Sequence, residues 1–328
     1  MRSARHGCGA GAETQGTTMQ TILGANGQIA VELARELQRH YTSDLRLVSR
    51  NPCKVNDTDV VLAADLLDAR QTAKAVEGSS IVYFTAGLSP DTELWEKQFP
   101  TMLRNALEAC RAAGAKFAYF DNTYMYPQDD RLLTEETGFA PVGRKGRVRA
   151  HMATMVLEEM ARGEIPVLIG RAPEFYGPCK TQSFTNALVT DKLKAGKSPR
   201  VPVRDDTRRT LIWTPDASRG LAILGNTPDA YGQTWHLPCC DERPTYKQFV
   251  TMACEAFGRP MAYKVIGKWA FAVAGIFSPE VREIRELLPR YEQDNLFDSG
   301  KFKRRFPEFE VMSYREGIAL IRKSETGE

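Results

Sequence analysis

No run in this chain approaches the roughly 18 consecutive apolar residues of a membrane-spanning helix. Cysteine is scarce too: seven in 328 residues, Cys8, Cys53, Cys110, Cys179, Cys239, Cys240 and Cys254. Their odd number and scattered placement exclude a disulfide framework and any C-x-x-C metal or redox pair. The adjacent Cys239 and Cys240 read as a turn after a strand rather than as a redox switch. Only four histidines accompany them, no two at helix-face spacing, so no metal site is expected. Charge of one sign is also lacking. Forty-four basic against 41 acidic side chains leave a net +3, too slight to call for a nucleic-acid or anionic-membrane partner. Residues 1–18 lack the apolar core of a secretory signal and read as a disordered leader. A reducing, cytoplasmic setting is the expectation.

What remains is ordinary for a soluble enzyme-sized chain, with 42% hydrophobic and 26% charged residues. From Met19 short apolar runs alternate with helical stretches. The strand candidates are Thr21–Leu23, Leu45–Val48, Val60–Ala63, Ile81–Phe84, Phe117–Phe120 and Val167–Ile169. Such unbroken runs suit strands buried on both faces. Ile29, Leu33 and Leu37 make one helical stripe, Met102 to Cys110 another, and a third runs from Val148 to Met160. Repeated strand–helix units predict an α/β fold with a doubly wound parallel sheet. After Tyr176 prolines and glycines increase. Strands at Thr210–Trp213 and Thr234–Leu237 and helices at Thr185–Lys194, Tyr246–Phe257 and Pro279–Leu288 predict a smaller C-terminal lobe. The domains are thus 19–176, binding a dinucleotide, and 177–328, a substrate lobe interleaved with the first.

Directly after the first strand stands Gly24-Ala25-Asn26-Gly27-Gln28-Ile29-Ala30, opening a helix. A strand, a glycine turn and a helix start put backbone N–H groups and the positive helix end where a pyrophosphate can sit. Gly24 permits the tight turn, Gly27 lets the backbone approach the phosphates, and Ala30 lets helix and strand pack closely. The spacing is G-x-x-G-x-x-A. At the end of the second strand no carboxylate is available to bind the adenosine ribose hydroxyls. Ser49 and Arg50 can instead donate to a 2′-phosphate, so NADP(H) is favoured over NAD(H).

Further landmarks follow in order: Ala64-Asp65-Leu66, Thr85-Ala86-Gly87, Phe120-Asp121-Asn122-Thr123-Tyr124-Met125-Tyr126 and Lys145. Arg171-Ala172-Pro173-Glu174-Phe175-Tyr176-Gly177-Pro178 and Arg209 to Asp216 complete the set. Together they resemble the extended short-chain dehydrogenase/reductase superfamily, in its epimerase/dehydratase-like group, over roughly residues 19–320. The resemblance implies a Rossmann sheet. It places Asp65 and Leu66 beside the adenine, and Thr85, Ala86 and Gly87 at the adenosine ribose and phosphates. Pro173 and Phe175 would line the nicotinamide, with Asn26, Gln28 and Ile29 at the glycine turn.

The catalytic positions depart from that pattern. The family uses a Ser or Thr, a Tyr, and a Lys four residues beyond it. Four before Tyr126 stands Asn122, and four before Lys145 stands Pro141, which has no proton to give. Of the three, only Lys145 survives. Tyr124, at the end of the fifth strand, is the candidate replacement acid. Tyr126 matches a tyrosine usually present for structure and is also a substrate candidate. On the substrate side Glu174 stands where nucleotide-sugar enzymes often place Asn, and a carboxylate there would repel a diphosphate. Arg209 matches the family's substrate arginine.

The leading reading is an NAD(P)(H)-dependent oxidoreductase of atypical active site, acting on a small carbonyl or alcohol. Two alternatives stand beside it: an epimerase or dehydratase on a sugar-like substrate, and a non-catalytic NADP(H)-binding sensor. The expected partner is a small-molecule substrate, without nucleic acid or membrane. The small-residue stretch 105–115 is a candidate homodimer surface, or equally a buried one.

Overall fold

The computed structural model describes residues 18–178, 181 and 183–326. The expected leader thus lies outside the described residues, Thr18 excepted, as do Cys8 and Cys179. Seven parallel strands form the central sheet: β1 (Gln20–Leu23), β2 (Leu45–Ser49), β3 (Val60–Ala63), β4 (Ile81–Phe84), β5 (Lys116–Asp121), β7 (Val167–Arg171) and β11 (Gln233–His236). β6 (Leu132–Leu133) and β8 (Glu174–Tyr176) lie outside it, as do β9 (Arg200–Pro202) and β10 (Leu211–Trp213). The order across the sheet is β11-β7-β5-β4-β1-β2-β3, so the chain reverses direction between β1 and β4. That reversal opens a crevice beyond the strands' carboxyl ends, the usual ligand position of doubly wound sheets.

The apolar runs that marked the strands serve two cores at once. Ile22, Leu47, Tyr83, Ala118 and Leu168 point into one cluster, beneath α1 (Gln28–His40) and α6 (Thr214–Gly225). Their neighbours Leu23, Val48, Val82, Phe117 and Ile169 point into the other, beneath α2 (Ala69–Val76), α3 (Thr92–Ala113) and α4 (Gly143–Arg162). Alternate side chains leave opposite sheet faces, so both must be apolar when helices cover both faces. β3 is the exception. It is the edge strand, and Val60 and Val61 are exposed rather than buried as the sequence suggested.

A third cluster, built on Tyr176, Trp213, Phe249, Tyr291 and Tyr314, is the core of the C-terminal lobe. The lobe includes α5 (Asp191–Lys194), α7 (Tyr246–Ala256), β12 (Lys264–Ile266), α8 (Lys268–Phe277) and α9 (Pro279–Arg285). β13 (Leu296–Phe297), α10 (Gly300–Arg305) and α11 (Tyr314–Thr326) end the described chain. The boundary at residue 176 is not a clean cut. β11 returns to pair with β7 in the main sheet, and α6 packs on α1. In the 105–115 stretch Ala106, Leu107, Ala109 and Cys110 are buried within the chain, while Ala112 and Ala113 are exposed. Cys239 and Cys240 are both free thiols.

Candidate active site

The glycine turn is built as its sequence demands. Gly24 has φ +101°, a conformation that L side chains rarely adopt. A Cβ there would lie 2.5 Å from the Ala86 Cα, so the turn rests directly on the chain leaving β4. Gly24 and Ala25 both donate backbone N–H groups to the Val48 carbonyl, at 2.8 and 3.0 Å. Gly27 is the N-cap of α1, and no side chain caps the helix there. A helix N-terminus left without a side-chain cap above a glycine cradle is suited to a pyrophosphate. Asn26 donates from Nδ2 to the Asn51 carbonyl, 2.6 Å, tying the turn to the loop after β2.

In that loop Arg50 is exposed and in no described ion pair, while the buried Ser49 Oγ has no hydrogen-bond partner. An orphaned hydroxyl beside a free guanidinium is a donor set awaiting an acceptor. Asp65 instead accepts from the Leu67 backbone at 3.0 Å, and Leu66 is buried with its carbonyl bonded to Asn105. Thr85 donates to the Leu23 carbonyl at 3.1 Å, and Gly87 has open space around it. Pro173 is buried, and Phe175 stacks on Phe120 with ring centroids 6.0 Å apart. The residues present therefore fit a dinucleotide along this crevice.

At the end of β5, Asn122 accepts from the Tyr124 backbone N–H at 3.0 Å. Its amide nitrogen has no partner among the described residues and can donate. Tyr124 stacks on Trp95 at 6.2 Å, and the Arg290 guanidinium sits 4.6 Å from its ring centroid. Burial raises the Tyr124 pKa, with Arg290 pulling the other way. The phenol therefore starts protonated. Lys145 lies close by on the first turn of α4, where the neighbouring Gly146 packs so tightly on the Tyr124 carbonyl that a Cβ would come within 2.9 Å. Its ammonium is fully buried and bonds to Thr92 Oγ1 at 2.5 Å and to the Glu283 carboxylate. Glu286 accepts from the Lys145 backbone N–H at 2.6 Å. Burial would raise the Glu283 carboxyl, but the hydrogen bonds from Lys145 and Thr92 hold it below its usual value.

Two expectations need correcting. Tyr126 is not available to a substrate. It is 1% exposed, and its hydroxyl meets His236 Nε2 at 2.8 Å, Arg171 at 2.6 Å and the Thr134 carbonyl at 3.1 Å. It belongs to a buried network in which Asp121 binds both Arg149 and Arg171. Likewise, Arg209 and Glu174 do not stand separately before a substrate. They pair at 2.9 Å, and Glu174 also accepts from Thr185 at 2.6 Å and Tyr291 at 3.1 Å. Three cations of the basic stretch 144–149 pair within the chain, Arg144 on Glu96, Lys145 on Glu283 and Arg149 on Asp121, while Arg147 is exposed.

Sequence reasoning missed Arg290. It is 7% exposed, donates to Thr123 at 2.7 Å, and has no carboxylate in hydrogen-bond reach among the described residues. Burial, reinforced by the like charge of Arg209, lowers its pKa. Thr92, Trp95 and Glu283 were also missed. They sit on α3 and α9, outside any motif, and only packing brings them to Lys145 and Tyr124. Among the described residues no three His, Cys, Asp or Glu side chains converge on a metal position, and no helix is long and apolar enough to cross a membrane.

Residues 21–237 match the model of the NAD dependent epimerase/dehydratase family. No curated protein sequence matches the chain. Among solved structures, UDP-glucuronic acid 4-epimerase from Bacillus cereus, in complex with NAD, is similar with TM-score 0.75 and 15% identity, covering 94% of this chain and 99% of that one. DesIV, the dTDP-glucose 4,6-dehydratase from Streptomyces venezuelae with NAD and TYD bound, is similar with TM-score 0.76 and 15% identity, covering 94% and 97%.

Proposed function

The chain belongs to the NAD-dependent epimerase/dehydratase family, and we propose that it performs that family's redox chemistry at a C–O centre of a small, hydroxylated, anionic substrate. The dinucleotide, when bound, supplies the hydride acceptor or donor. The observation that carries the reading is that Asn122 and Tyr124 stand at the end of β5 and that Gly146, next to Lys145 on the first turn of α4, packs on the Tyr124 carbonyl, where Pro141 stands in place of the usual tyrosine. Asn122 donates its amide N–H to the substrate oxygen. Tyr124, a phenol protonated at neutral pH, moves the proton at that oxygen. The Lys145 ammonium, paired with Glu283, lies 6.0 Å from the ring of Trp95, on which Tyr124 stacks.

The family match and the two sugar-nucleotide neighbours favour the epimerase or dehydratase alternative over a plain carbonyl or alcohol oxidoreductase. The substrate side argues against a nucleoside diphosphate. Arg209 already spends its charge on Glu174, and a second anion there would meet that carboxylate. Arg290 is the remaining cation. A buried guanidinium without a counter-ion is costly, and a single substrate carboxylate or phosphate would relieve it. Arg50 and Ser49 favour NADP(H).

The test is a turnover screen with both nicotinamide cofactors. Carboxylated or monophosphorylated sugars and oxo acids should react, UDP-sugars should not, and Tyr124→Phe should lower kcat by about 10²–10⁴-fold with cofactor affinity kept. Turnover of UDP-sugars alone would overturn the substrate assignment. Tight dinucleotide binding with no turnover of any substrate would point to the sensor.

A further inference from the structure

We propose that α8 and the basic pocket beside it form a surface that docks on an anionic lipid bilayer. From Trp269 to Phe277 the helix carries no charge at all, reading Trp-Ala-Phe-Ala-Val-Ala-Gly-Ile-Phe. Phe271 and Gly275 turn inward, Phe271 against Phe184 and Gly275 against Arg282 and Arg285 of α9. The large side chains on the other face are left in solvent: Trp269 is 75% exposed, Val273 50%, Ile276 72% and Phe277 84%. At about 100° per residue these four fall within roughly 100° of the helix circumference, so they form one apolar face rather than scattered exposures. A contiguous patch of this kind marks a binding surface.

The neighbouring chemistry selects the occupant. α8 follows β12 after a single residue, and β12 pairs with β9. Lys192, Lys197, Arg200 and Lys264 line a pocket of about 250 Å³ at that pairing. None of the four is in an ion pair among the described residues, and Arg259 adds a fifth cation beside Gly196. Unpaired cations adjoining an apolar helix that carries an exposed tryptophan are complementary to anionic headgroups above acyl chains. The overall charge of +3 conceals this patch because acidic residues elsewhere cancel it.

The experiment is flotation of the full chain with vesicles of phosphatidylcholine alone and of phosphatidylcholine with phosphatidylserine, at low and physiological salt. Trp269 fluorescence and size-exclusion chromatography accompany it. The expected result is binding to the anionic vesicles only, weakened by salt, with a blue shift lost in Trp269→Tyr. The double variants Ile276→Asp with Phe277→Asp, and Lys197→Glu with Lys264→Glu, should each bind at least tenfold more weakly while melting like the wild type. No binding of the wild type to anionic vesicles would overturn the proposal, as would undiminished binding by either double variant. A wild-type dimer that the Ile276→Asp, Phe277→Asp change dissociates, with no vesicle binding, would assign the face to a second copy and overturn it too.

Discussion

Gly24 and Gly27 stand three residues apart in one motif, yet the structure separates their roles, and substitution should expose the difference. A Cβ on Gly24 would lie 2.5 Å from Ala86 Cα, 2.6 Å from Ala86 N and 2.9 Å from the Thr85 carbonyl carbon. Carbon atoms in ordinary contact are about 3.5–4.0 Å apart, and these are backbone atoms that cannot rotate away. The φ of +101° adds strain of about 1–3 kcal/mol for a residue with a side chain. Gly24→Ala should therefore cost about 3 kcal/mol or more, and lower the melting temperature by about 5–10 °C. Gly27 has φ −75°, and its Cβ would meet nothing closer than the Gly24 carbonyl at 3.4 Å. Aspartate is moreover a good N-cap, so Gly27→Asp should fold and melt like the wild type. Its carboxylate would instead face the pyrophosphate. At about 5 Å and an effective dielectric near 20, the repulsion is about 3 kcal/mol, or more than a hundredfold in affinity. Calorimetric titration with NAD(P)H and differential scanning calorimetry read the two effects. A Gly24→Ala protein melting with the wild type, or a folded Gly27→Asp protein binding the dinucleotide as tightly as the wild type, would refute the reasoning.

Three further outcomes are expected. Arg50→Ala should weaken NADP(H) about ten- to hundredfold and NAD(H) far less, because only the former carries the 2′-phosphate. Equal losses by titration would remove that assignment. Lys145→Ala should reduce turnover and also lower the melting temperature of the cofactor-free protein, because Glu283 and Thr92 lose the ammonium that bridges them. An unchanged melting temperature would contradict the clamp. His236 is held neutral, its pKa well below the usual value through burial and then the charge of Arg171. Below about pH 6.5 the unfolded chain takes up a proton that the native chain refuses, so stability is full above that pH and falls as the pH drops. The slope should reach at most about 1.4 kcal/mol per pH unit for this group. In His236→Asn the decline from pH 7 to 5.5, followed by urea unfolding, should be shallower, and a decline as steep as the wild type's would refute it.

The local signals were the ones the sequence could carry. The inner strands of the sheet were visible because a strand buried on both faces must be largely apolar, and the glycine turn because no other residue tolerates the geometry at Gly24. The landmarks that carry the family resemblance, and the Pro141 that stands four residues before Lys145, were likewise legible along the chain. Tertiary structure decided what depends on distant partners. Tyr126 and Tyr124 are two residues apart, and only the arrival of His236 and Arg171 beside one, and of Trp95 and Arg290 beside the other, gives them different surroundings. Glu174 could be seen as a carboxylate, but not that Arg209, thirty-five residues on, pairs with it. Nor could the sequence show that Lys145 meets Glu283 of α9, across 138 residues of chain. Net charge, a sum over the whole sequence, hid the cations gathered at β9 and β12, and the apolar run in α8 was short enough to pass for core. Pairing and exposure are properties of positions in space. A linear pattern records them only when a neighbouring residue enforces them.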